Sequence, residues 1–83
     1  MKDPIFKELY KLLFEENKFL TKEKIMNYFK ENFSNEYKLS KRINSNLERL
    51  SHGLVFVEET RFLNGRFGYK INKTGRKHYK FQK

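Results

Sequence analysis

The sequence predicts an α+β fold, with three helices, a β-hairpin and a short C-terminal helix in a single domain over residues 1–83. Two observations carry this prediction. Apolar residues recur at helical spacing in three successive segments. Asn64-Gly65 then separates two strand-like runs. This dipeptide is the strongest short hairpin signal, because both residues tolerate the positive φ of a type I′ turn.

The first helix is predicted to begin at Asp3-Pro4. Asp can accept a hydrogen bond as the N-cap, and Pro fits the first helical position. Apolar spacing predicts an end near Asn17. Phe19-Leu20 is too short for a full strand, so we expect it to add one edge pairing to a sheet.

The second helix is predicted to start at Thr21. Leu20 before it and Ile25 after it occupy the two positions of a hydrophobic staple. Ile25, Phe29 and Phe33 form its apolar stripe, which we expect to face the core.

The third helix, predicted over residues 38–51, has the clearest pattern. Five apolar residues fall within about 80° on a helical wheel and predict a narrow buried face. They are Leu39, Ile43, Leu47, Leu50 and Leu54. Gly53 is placed to end the helix in a left-handed conformation, and residues 54–56 are predicted to begin a strand.

The hairpin is predicted to have a two-residue loop at Asn64-Gly65. This loop would place Phe62 opposite Phe67 and Glu59 opposite Lys70. After the second strand, Asn72 is a suitable cap for a short last helix.

Positive charge is concentrated at the C-terminal end of the chain, whose net charge is +9. Residues 1–37 hold seven lysines and seven acids, and residues 38–59 have a net charge of +1. Residues 60–83 hold eight lysines and arginines and no acid. A block this one-sided indicates a surface for a polyanion. A solvated basic tail is the simpler alternative, but interleaved aromatic residues argue against a purely disordered segment.

Several classes of protein are not indicated. The absence of cysteine excludes disulfides and thiolate metal sites. His52 and His78 are isolated, so we expect neither a metal nor a cofactor. No nucleophile-and-base cluster or glycine-rich phosphate loop is present, so an enzyme is not expected. No membrane span or signal peptide is seen. The expected location is therefore cytoplasmic, either nucleoid-associated or in a host cytoplasm if the gene is viral or plasmid-borne.

The order of elements and three short motifs resemble a winged helix-turn-helix domain of the MarR, ArsR and PadR type. The similarity covers nearly the whole chain, and the motifs follow one another at the expected spacing. The matching residues are Leu47, Leu50 and Gly53-Leu54-Val55, then Gly65-Arg66, then Tyr69-Lys70-Ile71-Asn72 with Gly75-Arg76. The resemblance implies a three-helix bundle with a β-hairpin wing and a short C-terminal helix.

The resemblance also implies DNA contacts. The third helix would enter the major groove, and the wing, over residues 55–71, would contact the backbone or the minor groove. On this interpretation Lys41, Arg42, Asn44 and Ser45 face base edges, and Lys38 and Arg49 meet phosphates. Arg61, Arg66 and Lys70 are the wing contacts, and Lys73, Arg76 and Lys77 neutralise further phosphates. Ser40 and Asn64 complete the predicted DNA-contacting set.

The expected function is therefore binding of double-stranded DNA by a small transcriptional regulator. We expect a homodimer formed through the first and last helices, because a two-fold protein matches palindromic half-sites. No small-molecule ligand is expected. Two alternatives stay open: a protein-interaction module, since fold does not dictate function, and a binder of single-stranded nucleic acid that uses the aromatic, basic end of the chain.

Overall fold

The computed structural model describes residues 3–35 and 37–81. Over these residues the fold is α+β, with four α-helices and a three-stranded antiparallel sheet. The helices are α1 (Pro4–Glu16), α2 (Lys22–Asn32), α3 (Leu39–Glu48) and α4 (Lys73–Phe81). The strands are β1 (Leu20–Thr21), β2 (Val57–Arg61) and β3 (Phe67–Ile71). Helix α3 continues into a π-helical turn, Arg49–Gly53.

The ends of the first two helices confirm the predictions made from capping residues. Asp3 Oδ1 accepts a hydrogen bond of 2.9 Å from the backbone N–H of Ile5. Asn17 ends α1 in a left-handed conformation with φ 48°. Thr21 caps α2, and its hydroxyl accepts a hydrogen bond of 3.2 Å from the backbone N–H of Lys24. Short polar side chains thus fix both helix starts.

The end of the third helix differs from the prediction. Gly53 does not have a positive φ and lies inside the π-helical turn. The left-handed residue is Val55, with φ 57°, and the Phe56 N–H closes the turn by donating to the Leu50 carbonyl at 2.8 Å. Because of this π-helical turn, the left-handed residue that reverses the chain is at position 55 and not at the predicted position 53. As a result β2 begins at residue 57, and residues 54–56 are not a strand.

The sheet has the order β1-β3-β2, so β3 is its central strand. The short β1 pairs with β3, with Leu20 opposite Tyr69, and this confirms the expected edge pairing. Strand β2 pairs with the other side of β3, with Val57 opposite Ile71. A β-hairpin formed by β2 and β3 is thus confirmed.

The predicted two-residue type I′ turn is wrong, because the loop has three residues. The Phe62 N–H donates to the Arg66 carbonyl at 2.7 Å, and the Gly65 N–H donates to the Phe62 carbonyl at 2.9 Å. Gly65 has φ 83°, whereas Asn64 is not in the left-handed region. This is a three-residue turn closed by a left-handed glycine. Phe62 is therefore opposite Arg66, and Glu59 is opposite Tyr69 in place of Lys70.

The register gives the sheet an inner and an outer face. Leu20, Val57, Glu59, Arg61, Phe67, Tyr69 and Ile71 lie on the inner face, which joins the core. Glu58, Thr60, Gly68 and Lys70 lie on the outer face. Phe62 folds over this outer face, and a Cβ added to Gly68 would come within 2.5 Å of its ring. The Phe62 ring also contacts Phe19 edge-on, with a centroid distance of 6.4 Å. This packing accounts for the three-residue turn.

The core lies between the helices and the inner face of the sheet. From the third helix Ile43, Leu47 and Leu50 are buried as predicted, whereas Leu39 is half-buried and Leu54 is exposed. Helix α4 is anchored on α1, because the Tyr10 hydroxyl donates to the Gly75 carbonyl at 2.6 Å.

Candidate nucleic-acid interface

The exposed face of α3 is polar and points away from the core. It carries Lys41, Asn44, Ser45 and Glu48, and all four side chains are exposed. Ser40, also exposed, lies at one edge of this face. These residues lie opposite the buried Ile43 and Leu47 on the helical wheel, as the sequence pattern predicts. Amide, hydroxyl and ammonium groups are thus available to a partner along one helix face.

Arg42 lies on the flank of α3 that faces α1. Its Nη2 approaches Asp3 Oδ1 at 2.6 Å, and its Nη1 donates to the Tyr37 carbonyl at 3.3 Å. Asn46, which is buried, adds a hydrogen bond of 3.3 Å to Asp3 Oδ2. The Arg42 hydrogen bond is the main cause that lowers the pKa of Asp3 below its usual value. Arg42 therefore joins the start of α1 to α3.

Arg49 also lies on the flank of α3 that faces α1. Its guanidinium carbon is 4.9 Å from the centroid of the Phe6 ring. Such a cation–π contact stabilises an exposed arginine in one orientation. Of the predicted contacts in the third helix, Arg42 and Arg49 thus lie apart from the exposed face that carries Lys41. Their predicted contacts with DNA are neither confirmed nor excluded by this placement.

Lys38 precedes α3 in a left-handed conformation, with φ 50°. It is exposed, and its ammonium lies 5.2 Å from the centroid of the Tyr37 ring. It makes no side-chain cap to α3. Its charge is therefore close to the first turn of the helix and accessible.

The C-terminal end of α3 meets the inner face of the sheet through Glu59. His52 Nε2 is 3.4 Å from one Glu59 carboxylate oxygen, and the Tyr69 hydroxyl donates to the other at 3.1 Å. Burial, this hydrogen bond and the negative charges of Glu59 and Glu48 raise the pKa of Tyr69 to about 12. The exposed face of α3 and the inner face of the hairpin thus meet on one side of the molecule.

Arg61 and Arg66 supply the positive charge at the turn end of the hairpin. Arg61 is on the inner face, and its guanidinium carbon is 5.9 Å from the centroid of the Phe67 ring. Arg66 Nη1 forms an ion pair with the carboxylate of Glu23 at the start of α2, and both side chains are more than half exposed. Asn64 does not point outward freely, because its Oδ1 accepts a hydrogen bond of 3.0 Å from the Arg66 N–H.

Lys70 lies on the outer face of the sheet, away from Arg61. It is opposite Glu58, and its ammonium is 5.7 Å from the centroid of the Phe19 ring. In the two-residue loop predicted from the sequence, Lys70 is opposite Glu59, and Glu59 shares a face with Arg61. That pairing therefore puts Lys70 and Arg61 on the same face of the sheet, whereas the structure puts them on opposite faces.

The basic residues of α4 form another surface. Lys73 and Lys77 are exposed. Arg76 instead packs on α1: its Nη1 donates to the Phe14 carbonyl at 3.3 Å, and its guanidinium carbon is 4.7 Å from the centroid of the Phe14 ring. Strand β3 runs away from the hairpin turn for five residues before α4 begins, which is about 17 Å. The basic block seen in the sequence is therefore divided between the hairpin and α4.

Sequence reasoning missed two features of this region. The first is the contact of His52 and Glu59, which are seven positions apart and whose pairing depends on the π-helical turn. The second is Leu63 in the turn, whose relative exposure is 110%. An apolar residue next to Asn-Gly was the available signal for the second feature, and no sequence signal indicated the first.

Among residues 3–35 and 37–81, no helix has both the length and the apolar character needed to cross a membrane. The same residues hold no group of three or more His, Cys, Asp or Glu side chains suited to a metal ion. Comparison of the chain with models of protein families, with curated proteins and with solved structures finds no match.

Proposed function

We propose that the chain is a winged-helix domain that binds double-stranded DNA and acts as a transcriptional regulator. The topology supports the proposal: the elements follow the order α1-β1-α2-α3-β2-β3, with the strand order β1-β3-β2. In this arrangement α3 is the helix that enters the major groove, and the β2–β3 hairpin is the wing. A major groove admits an α-helix and displays distinguishable base edges.

The observation that carries the proposal is the junction of α3 and the hairpin at Glu59. Because His52 and Tyr69 both contact this carboxylate, the exposed face of α3 continues onto the inner face of the hairpin. Along this surface exposed cations occur at Lys38, Lys41 and Arg61. One side of the molecule therefore offers a polar helix and the Arg61 end of the hairpin to the same partner, with Glu48 and Glu59 as the acids of this surface.

The contacts divide into those that read bases and those that hold phosphates. Lys41 and Asn44 are the base readers, because lysine can donate to guanine and asparagine can pair bidentately with adenine. Lys38, Arg61 and Arg66 bind phosphates. Arg66 is available for this role because its ion pair with Glu23 is exposed, and exposed ion pairs are weak.

Duplex binding by matched double variants tests the proposal. K41A/R61A removes two positive charges from the proposed surface, and K7A/K11A removes two from the solvent side of α1. With these three phosphate contacts, the wild type should show a slope of log K against log salt of about −2.7 for each protomer bound. K41A/R61A removes one base contact and one phosphate contact, so it should weaken binding strongly and make this slope shallower by about 1, whereas K7A/K11A should leave it unchanged. Equal losses for the two variants would indicate attraction by net charge alone and would contradict the proposal.

A homodimer is part of the proposal, since half-sites about one helical turn apart suit a two-fold protein. The solvent side of α1 carries Lys7 and Lys11, which makes α4 with its exposed Phe81 the better dimer surface. Sedimentation of the free protein and of its complex with a palindromic duplex tests this part.

One observation favours a second function, which is binding of single strands. The outer face of the sheet presents the partly exposed rings of Phe19 and Phe62 beside Lys70. Aromatic rings next to a cation can stack bases of an unpaired strand. Competition with a single strand of the same sequence distinguishes the two functions, because a duplex reader is displaced only by duplex.

A further inference from the structure

The turn of the hairpin carries an apolar side chain that projects into solvent. Leu63 has a relative exposure of 110%, the highest of the large apolar residues that are exposed in the described part of the chain. It lies between Arg61 and Arg66, and we call residues 61–67 the hairpin tip. Scattered exposed apolar residues are ordinary, so Leu63 has significance only through its surroundings.

The other apolar residues of the hairpin tip have contacts within the protein. Phe62 packs over Gly68 and against Phe19. Phe67 lines a groove with Met26 at the start of α2, and Arg61 lies over its ring. Leu63 is thus the single apolar side chain that the tip directs outward.

The hairpin tip is ordered by its own hydrogen bonds. The Phe62 N–H donates to the Arg66 carbonyl at 2.7 Å, and the Gly65 N–H donates to the Phe62 carbonyl at 2.9 Å. The Arg66 N–H donates to Asn64 Oδ1 at 3.0 Å. Leu63 is therefore presented in a fixed position, and a partner that binds it has little backbone to order.

The charge around Leu63 indicates what kind of partner fits. Residues 60–83 contain no acid, and the two arginines of the tip flank the leucine. An apolar partner surface would offer no counter-charge to Arg61, whose guanidinium lies over the Phe67 ring, and would cover the exposed ion pair of Arg66 with Glu23. A duplex offers phosphates on both sides of a groove, with stacked bases between them, so it matches both the charge and the apolar side chain.

The distance between α3 and Leu63 also suits a duplex. Glu59, which His52 contacts, marks the point where α3 reaches the hairpin. Leu63 is four residues farther along, which is about 13 Å of extended chain. Neighbouring major and minor grooves are about half a helical turn apart, or about 17 Å. With α3 in the major groove, the tip and the Leu63 side chain therefore extend toward the adjacent minor groove.

We infer that Leu63 inserts between two base pairs from the minor groove and bends the duplex. This inference rests on the proposed function and adds the mode of binding. Apolar side chains at such positions unstack one base step and kink the helix toward the major groove. Arg61 and Arg66 hold the phosphates on the two sides of the opened step. The preferred site is a pyrimidine–purine step such as TA, because these steps unstack most readily.

The test uses a duplex that holds a TA step, with a fluorophore at each end to report bending by energy transfer. The variants are L63S, the conservative L63M, and V55S as a control, since Val55 is an exposed apolar residue outside the hairpin tip and outside α4. Wild type, L63M and V55S should bend the duplex. L63S should bind about ten- to one-hundred-fold more weakly and leave it straight. Its circular dichroism should match the wild type, because Leu63 is exposed.

The possible outcomes separate the inference from the proposed function. If wild type binds the duplex with the expected salt dependence but does not bend it, the wedge is wrong and the proposed function stands. If L63S bends the duplex as the wild type does, the wedge is again wrong and the proposed function stands. If the wild type does not bind duplex at all, both fail. Binding of wild type, but not L63S, to phosphatidylserine vesicles, without DNA bending, would assign the tip to a lipid surface and overturn the inference.

Discussion

Arg42 and Lys41 are neighbours in the sequence with different surroundings, and their alanine variants should separate stability from DNA binding. Arg42 is held against Asp3 at the start of α1, with side chains that are 29% and 31% exposed. Lys41 is exposed on the polar face of the helix, about 100° around the axis from Arg42. R42A should therefore lower the free energy of unfolding, and K41A should lower affinity for duplex DNA.

The magnitude follows from the Arg42 contacts. A hydrogen bond to a charged group contributes about 1.5–3 kcal/mol when buried. Exposure of almost a third of each side chain reduces the contribution of this pair to about 1 kcal/mol. Asp3 keeps its capping bond to Ile5 in the variant, so α1 should still form. For a chain of this size R42A should lower Tm by about 4–8 °C. K41A should change the free energy of unfolding by less than about 0.5 kcal/mol.

Two measurements check this prediction: urea unfolding followed by circular dichroism, and duplex affinity over a range of salt. R42A should shift the urea midpoint with an unchanged slope of log K against log salt. K41A should leave the midpoint in place and weaken binding to the specific duplex more than to an unrelated one, because Lys41 is assigned to a base edge. An R42A protein of wild-type stability that loses affinity for the specific duplex would refute the structural role of Arg42 and restore the base contact predicted from the sequence.

The pH dependence gives an internal control. Because the pKa of Asp3 is lowered in the folded protein, its ion pair with Arg42 stabilises the fold above the unfolded value of about 4. This contribution is lost as pH falls through the folded pKa. The stability difference between wild type and R42A should therefore be present at neutral pH and should shrink below about pH 4.

Two further predictions concern packing and alkaline pH. A Cβ at Gly75 would come within 2.3 Å of a backbone oxygen, whereas one at Gly53 would meet only a side-chain carbon at 3.8 Å. G75A should therefore destabilise the fold by about 2 kcal/mol or more in urea unfolding, and G53A should be neutral or slightly stabilising; equal effects would contradict this packing. Burial is the main cause that raises the pKa of Tyr10 and of Tyr69 to about 12. Since both folded values exceed the unfolded value of about 10, stability should be complete below pH 10 and be lost as pH rises toward 12, together with phenolate absorbance; tyrosines that ionise near pH 10 without unfolding would contradict it.

The fold was largely predictable because its signals are local. Asp3 and Thr21 cap the helices that follow them, and apolar spacing identified the buried residues of α3. Asn72 caps α4 as expected, with its Oδ1 accepting from the Gly75 N–H at 2.8 Å. In each case a side chain acts within a few residues of itself, so one sequence is sufficient to reveal it.

The errors arose where tertiary packing decides between local alternatives. Asn64-Gly65 permits both a two-residue and a three-residue turn, and the packing of Phe62 on Gly68 favours the longer one. Similarly, the bond between Arg42 and Asp3 spans 39 positions and follows from how α3 crosses α1. The helical wheel placed Arg42 at the edge of the polar face but did not show what that edge contacts.

The three-residue turn has a consequence for how the hairpin can vary. Strand β3 pairs with a neighbour on each side, so a change in loop length that alters the register of the hairpin would shift β2 along β3 and leave β3 in place. Side chains alternate between the two faces of a strand, so a shift of β2 by one residue would exchange its faces. Glu58 and Thr60 would then lie on the side of α3, in place of Glu59 and Arg61. Insertions or deletions of two residues would preserve the present orientation. Whether the loop has an odd or an even number of residues, more than which residues they are, therefore determines which charged side chains of β2 lie beside α3.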